Sequence, residues 1–472
     1  IPSFMPCSSS KQDPLLYWES HRDLMSHIRP SAIISTTEVF EEMRGVNLDL
    51  FGAREVRIEE IESPDEFISV KQRSEDDIGL LQHSSGTTGL KKGVALSFRS
   101  IELHAINYAN SISITNDDCI ASWLPLYHDM GLMACMIVPS YNSIPVVHLS
   151  PFSWVARPQK ILKAIEDYSA TLCWMPNFAF EHIATSAEIK SKNYSLESIR
   201  AFINCSEVCK PETFDRFHRT FEKDGVKGNM LQTCYAMAET VFATTQTPIG
   251  TVPKRIFVKD STLNRNDVVE VIESNEEKTN GTKELIESGV IVEGIQLKIV
   301  DEDRHELGDC TIGEIAIKGD FLFSEYYKQE GLSNDRIENE WYFTRDLGFK
   351  KEGHLFVMGR IDDLIIINGR NVYSHQVELL ASGVSGVKPG RVCAFGEHSQ
   401  SVGSDTLVIV CELDKTVERE GREIKSEISS LVFSSIEIMP RRVILVEPGW
   451  LIKTSSGKMD RKKNKKKYLG GL

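Results

Sequence analysis

"LLQHSSGTTGLKKGV", residues 80–94, is the stretch on which the reading of the fold turns. Gly86 and Gly89 let the backbone come close to a ligand. Ser84, Ser85, Thr87 and Thr88 offer four hydroxyl donors, and Lys91 and Lys92 add positive charge. These are the parts of a phosphate cradle, although the same composition also makes ordinary surface turns. The common P-loop does not fit, because Lys91 stands where that pattern requires a second glycine and no Ser or Thr follows the lysines. A phosphate loop here belongs to a different fold.

The flanks say what kind. "IGLLQ" (78–82) is an apolar run suited to a buried strand, and "VAL" (94–96) resembles a second. Beyond it, Ile101, Ala105, Tyr108, Ala109 and Ile112 fall at helical spacing, with Ser97 placed to cap the helix. Further on, strand-like "ATLCWM" (170–175) and "IRAFINC" (199–205) alternate with helical stretches such as "PETFDRFHRTFEKDG", where Pro211 suits a first turn. This alternation predicts an α/β architecture. From about residue 288 short strands and turns predict a small β-rich subdomain. After a boundary near Arg360–Asp363 the remaining elements make a compact α+β unit.

At 472 residues the chain exceeds what one hydrophobic core serves, so two or more domains are expected. A net charge of -14 argues against a general nucleic-acid binder, and no apolar run approaches a membrane span. Ten cysteines, scattered singly, indicate neither a zinc ribbon nor a disulfide framework and fit a reducing cytoplasm. The opening "IPSFMPCSSS" reads as the interior of a domain, which implies a further N-terminal segment. The basic "DRKKNKKKYLGGL" at the other end reads as a solvated, disordered tail.

Five motifs in order give a sharper reading: "SSGTTGLKKGV" (84–94), "YAMAET" (235–240), "YFTRDLG" (342–348), "GRIDDLIIINGRNVYSHQVE" (359–378) and "KTSSGKMDR" (453–461). Together they resemble the adenylate-forming superfamily of acyl-CoA synthetases, adenylation domains and luciferase. "WLPLYHDMGL" (123–132) leans towards its fatty acyl-AMP ligases, with "GRNVYSHQVE" in support. The resemblance covers nearly the whole chain. It implies a large N-terminal domain of αβ subdomains (1–360) and a mobile C-terminal domain (361–472). It also implies ATP and Mg²⁺ as cofactors, and a reaction that turns a fatty or related carboxylic acid into acyl-AMP. The acyl group would pass to an acyl carrier protein acting in trans, or to CoA. A degenerate nucleotide-binding homologue is the alternative of another class.

The resemblance also implies roles. Ser84, Ser85, Gly86, Thr87, Thr88, Gly89 and Lys92 would hold the β- and γ-phosphates. Ser206 and Glu207 would also bind the nucleotide, and Tyr235 would stack on adenine. Asp346 would accept from the ribose hydroxyls with Arg360 beside it, and Glu239 with Thr87 would hold Mg²⁺. Lys458 would neutralise the α-phosphate and acyl carboxylate, His128 would lie by that carboxylate, and Asp362 would be the hinge. "NFAFEHIA" (177–184) and "NYANSI" (107–112) would set pocket depth. Three positions depart from the usual glycines: Ala236, Cys205 and Arg345, the last beside Asp346. Lys91 and Ser374 replace frequent prolines.

Overall fold

The computed structural model describes residues 1–6, 14–62, 72–84, 92–190, 193–272, 281–367, 370–399, 404–454 and 458–470. One large sheet organises the molecule. Five parallel strands lie side by side in it: Val146–His148, Ile120–Ser122, Leu172–Met175, Ala201–Asn204 and Leu231–Ala236. The runs "LCWM" and "AFIN" are wholly buried, as expected where helices cover both faces of a parallel sheet. The helix Pro211–Phe221 begins on its proline and sends Phe214, Phe217 and Phe221 into the core.

The β-rich region expected from about residue 288 is present, and most of its strands extend the large sheet. Ala243–Gln246 pairs antiparallel with Leu231–Ala236, and the ladder continues through Val290–Ile291 and His354–Arg360. From there it runs to Trp341–Lys351, Gly313–Gly319 and Ile295–Val300. The region also begins earlier than residue 288, because Arg255–Lys259 already pairs with Val271–Ile272 and Thr282–Ile286. Short strands broken by turns do not reveal which long ladder they join.

The opening motif sits on a separate small sheet. Ile78–Ser84 and Lys92–Ser97 run antiparallel with Ser84 opposite Lys92, and Glu325–Tyr326 adds a third strand with Tyr326 opposite Val94. Ser97 caps the helix Phe98–Ser111, its hydroxyl accepting from the Ser100 amide at 3.1 Å. Ser85, Gly86, Thr87, Thr88, Gly89 and Lys91 lie outside the described residues.

Beyond the turn Ile361–Asp363 the chain leaves the large sheet. A hairpin of Leu364–Ile367 and Arg370–Tyr373 leads to the helix Ser374–Ser382, then to the sheet Val387–Ser399, Ser404–Leu413 and Arg442–Val446. Ile365, Val377, Ile409 and Ile428 belong to an apolar cluster distinct from that of the large sheet. The basic end corrects the expectation of a disordered tail, for Arg461–Leu469 is a helix capped by Asp460. Tyr468 packs on Phe395, and the Asn464 amide bonds the Ile452 backbone, so two of its residues are buried anchors among solvated lysines. The nine described cysteines are free thiols, and no described helix is long and apolar enough to cross a membrane.

Candidate active site

The C-terminal ends of the parallel strands collect five of the expected residues. His128 follows Ile120–Ser122, Ser206 and Glu207 follow Ala201–Asn204, and Tyr235 ends Leu231–Ala236 with Glu239 just beyond. This is where open α/β sheets bind ligands, since helix N-termini and loops converge there. Asp346 and Arg360 come from the antiparallel half, directly opposite one another in register.

Two hydroxyl-bridged acids form the centre. The Tyr235 hydroxyl donates to Asp346 Oδ2 at 2.7 Å, and Arg360 Nε meets Asp346 Oδ1 at 3.2 Å. The Tyr326 hydroxyl donates to Glu239 Oε1 at 2.7 Å and lies 3.0 Å from the Tyr342 hydroxyl. Lys92 Nζ sits 4.9 Å from the centroid of the Tyr326 ring, which ties the end of the glycine motif to Glu239. Burial pushes the Asp346 carboxyl above its ordinary range, although Arg360 and Tyr235 pull it down and nearby Glu239 adds to the rise. Burial likewise lowers the Lys92 ammonium against the pull of Glu239.

Tyr326 and Tyr342 were not singled out in the sequence. A tyrosine in "SEYYK" or "WYFTRD" reads as core, and only tertiary packing puts the Tyr326 hydroxyl on Glu239 with the Tyr342 hydroxyl beside it.

Away from that centre, His128 Nδ1 lies 2.6 Å from Asp129 Oδ1 at the entrance to a π-helical stretch, Met130–Ile137. Gly131 is required there, since a Cβ would sit 2.3 Å from the Pro125 carbonyl oxygen. Buried Gln82 donates to the Tyr127 carbonyl at 3.3 Å and steadies the segment from the small sheet. Burial raises the Asp129 carboxyl, but His128 and Lys458 outweigh it and the net shift is downward. The charge of Lys458, from the far end of the sequence, thus acts on the same acid as His128. Its backbone is paired with Thr454, whose amide donates to the Lys458 carbonyl at 2.7 Å.

Not every expected residue joins these groups. Glu207 Oε2 accepts from the Phe178 amide at 3.0 Å, so this side chain holds the start of the helix Asn177–Lys190. Ser206 has a left-handed backbone, φ 71°, where the chain turns past the strand. In "NYANSI" the Tyr108 hydroxyl is locked between Gln246 and Trp174, whereas Phe178 of "NFAFEHIA" is 43% exposed. Phe178 flanks a stacked pair, Trp123 on Trp154, with ring centroids 3.5 Å apart. Arg345 does not crowd Asp346. It keeps a glycine-like φ of 63° and turns its guanidinium to Asp362.

The model of the family described as AMP-binding enzyme matches residues 13–327. The chain belongs to the AMP-binding enzyme family. Members of the family use ATP. Among relatives, this AMP-binding enzyme is 30% identical over 416 residues to the medium-chain-fatty-acid–[acyl-carrier-protein] ligase JamA of Moorena producens, covering 84% of this chain and 68% of JamA. It is 27% identical over 490 residues to the long-chain-fatty-acid–AMP ligase FadD32 of Mycobacterium marinum, covering 94% of this chain and 77% of the relative. Among solved structures it resembles the fatty acyl-adenylate ligase of L. pneumophila in complex with acyl adenylate and pyrophosphate. The TM-score is 0.71 at 25% identity, over 100% of this chain and 82% of that one.

Proposed function

We propose that this AMP-binding enzyme is a fatty acyl-AMP ligase that activates a fatty or related carboxylic acid with ATP and then loads it onto the phosphopantetheine thiol of a carrier protein. The observation that carries the reading is the linked cluster in which Lys92 lies over the Tyr326 ring, Tyr326 donates to Glu239, and Tyr235 and Arg360 hold Asp346, with the charge of Lys458 felt at Asp129. Fatty acyl-AMP ligases among the relatives support it.

In the first step a carboxylate oxygen of the acid bonds to the α-phosphorus as the bond to the β-phosphate breaks, and pyrophosphate leaves. An anion attacks a polyanion, so the barrier is largely electrostatic. Lys458 neutralises charge between the acyl carboxylate and the α-phosphate, and His128 donates towards the carboxylate. Lys92, with Ser84, Ser85, Gly86, Thr87, Thr88 and Gly89, holds the departing phosphates. Tyr235 and the Ser206–Glu207 turn border adenine. Asp346 takes the ribose hydroxyls, exchanging the Tyr235 hydroxyl it accepts in the free protein.

Glu239 suits Mg²⁺, being a buried hard carboxylate whose Oε1 takes the Tyr326 hydroxyl and whose Oε2 takes no hydrogen bond among the described residues. Thr87 would share the ion, which supplies charge neutralisation at the phosphates.

In the second step the thiol sulfur attacks the acyl carbon, the acyl–oxygen bond to AMP breaks, and AMP departs with loss of the thiol proton. Lys458 must withdraw first, which assigns 361–472 as a mobile C-terminal domain turning at Asp362 against a core of 1–360. A cytoplasmic setting accords with the free thiols.

The test is mass spectrometry of reactions containing ATP, Mg²⁺ and a ladder of fatty acids, with and without CoA. Acyl-AMP accumulating in the presence of CoA is the expected result. Acyl-CoA would make the protein a CoA ligase, and neither product with ATP still bound would make it a binding homologue.

A further inference from the structure

Arg345 occupies a backbone conformation that a residue with a Cβ adopts only when something holds it, φ 63°. Two contacts hold it. Its main-chain amide donates to Glu314 Oε1 at 2.7 Å, and its Nη2 donates to Asp362 Oδ1 at 2.7 Å. Arg345 belongs to the strand Trp341–Lys351 of the large sheet, whereas Asp362 lies in the turn through which the chain leaves that sheet. The neighbouring Asp363 is held from the other side. Arg461 Nη1 lies 2.8 Å from Asp363 Oδ2 while its Nη2 lies 2.6 Å from Glu378 Oε2.

Two adjacent carboxylates at the crossing are thus each gripped by an arginine, one rooted in the large sheet and one in the C-terminal segment. Asp346, one residue along from Arg345, is occupied by Tyr235 and Arg360, so the two acids do not compete for a cation. A rotation about Asp362 would leave the Arg461 contacts within the moving part and would have to break the Arg345 contact.

We infer that Arg345 is a positioning residue that latches the crossing turn to the core, keeps Lys458 at the acyl side, and favours acyl-AMP formation over onward transfer. The inference rests on the two-step reaction proposed above. A glycine at this position makes no such contact, so the latch belongs to the side chain that replaces it. The pair is partly exposed, its side chains 41% and 22% accessible, which sets the scale of a contact that can be released in each cycle.

The experiment compares wild type, Arg345→Gly, Arg345→Lys, Asp362→Asn and the double variant Arg345→Gly/Asp362→Asn. Amide hydrogen exchange over 361–367 is followed in the free proteins. Single-turnover acyl-AMP formation and acyl transfer from preformed acyl-AMP to pantetheine are measured separately. Exchange should quicken about three- to fivefold in Arg345→Gly and Asp362→Asn, no further in the double variant, and largely recover in Arg345→Lys. Acyl-AMP formation should fall and transfer should rise, each by about the same factor. Unchanged exchange in both single variants, or half-reactions that fall together, would overturn the latch. Should wild type form no acyl-AMP from any acid, the two-step reading fails while the exchange comparison still decides the contact. Should Arg345→Gly fail to fold, Asp362→Asn breaks the same pair from its other end.

Discussion

Asp346 and Asp129 are both carboxylates with little exposure and a cation beside them, yet burial prevails at the first and charge at the second. Arg360 is half in solvent at 3.2 Å from Asp346, and Glu239 adds a like charge nearby. Asp129 has His128 at 2.6 Å, the charge of Lys458, and the Met130 amide at 2.8 Å. Asp346 is therefore held mainly by partners from the large sheet, Tyr235 and Arg360. Asp129 owes part of its electrostatics to a residue brought from elsewhere.

The widest break in this comparison comes from Lys458→Ala. Acyl-AMP formation should fall about 10²–10³-fold, with ATP binding and melting temperature nearly unchanged, read by single-turnover assay and calorimetry. Asp346→Asn should do the reverse. Losing charged acceptance of the ribose hydroxyls should weaken ATP binding by about 2–3 kcal/mol. Its stability effect has the opposite sign. A folded-state value raised above the unfolded one means the folded protein binds the proton more tightly, so stability falls as pH rises through that window. Asparagine removes the cost, and Asp346→Asn should melt at or above wild type at pH 7 and below it under acid conditions.

A smaller effect is expected of Tyr326→Phe, which removes one hydrogen bond from Glu239 and leaves the ring under Lys92. About 1 kcal/mol should be lost, seen as a melting shift and a few-fold higher Mg²⁺ requirement in turnover. The smallest belongs to Asp129→Asn. Its depressed carboxyl contributes stability above the unfolded value and loses it as pH falls through the folded value. The melting difference from wild type should hold at about 2 °C from pH 5 upward, begin to shrink below about pH 4, and vanish only once pH falls past the depressed folded value. A Lys458→Ala background should shrink that difference, whereas the Asp346→Asn shift should survive it.

Local chemistry was legible where residues close in sequence act together. The strand before "HSSGTTG", the Ser97 cap and the proline-led helix at 211 follow from propensity and spacing. The candidate site was legible as motifs, and the pairing of Asp346 with Arg360 emerged only once two strands were in register. Tyr326 and Tyr342 stayed hidden because tertiary packing, not spacing, puts the Tyr326 hydroxyl on Glu239 with the Tyr342 hydroxyl beside it. Arg345 stood out as a departure from glycine, yet its partner Asp362 depends on a left-handed φ and a turn that no local rule supplies. The C-terminal lysines dominated the reading of the last helix, while Asn464 and Tyr468, which anchor it, are two residues among nine.

Trp123 and Trp154 have a use apart from packing. Their rings lie 3.5 Å apart and within 4° of parallel, in the segment that leads to His128, with Phe178 at the edge of both. Both indole nitrogens are buried without a hydrogen-bond partner among the described residues. The chain has only six tryptophans, so a change at this pair would stand out in its emission. A fatty acid that wedges in beside Phe178 would alter the stack and brighten or shift the fluorescence. An acid titration followed by tryptophan emission, with no label and no turnover, would then read out binding beside this pair.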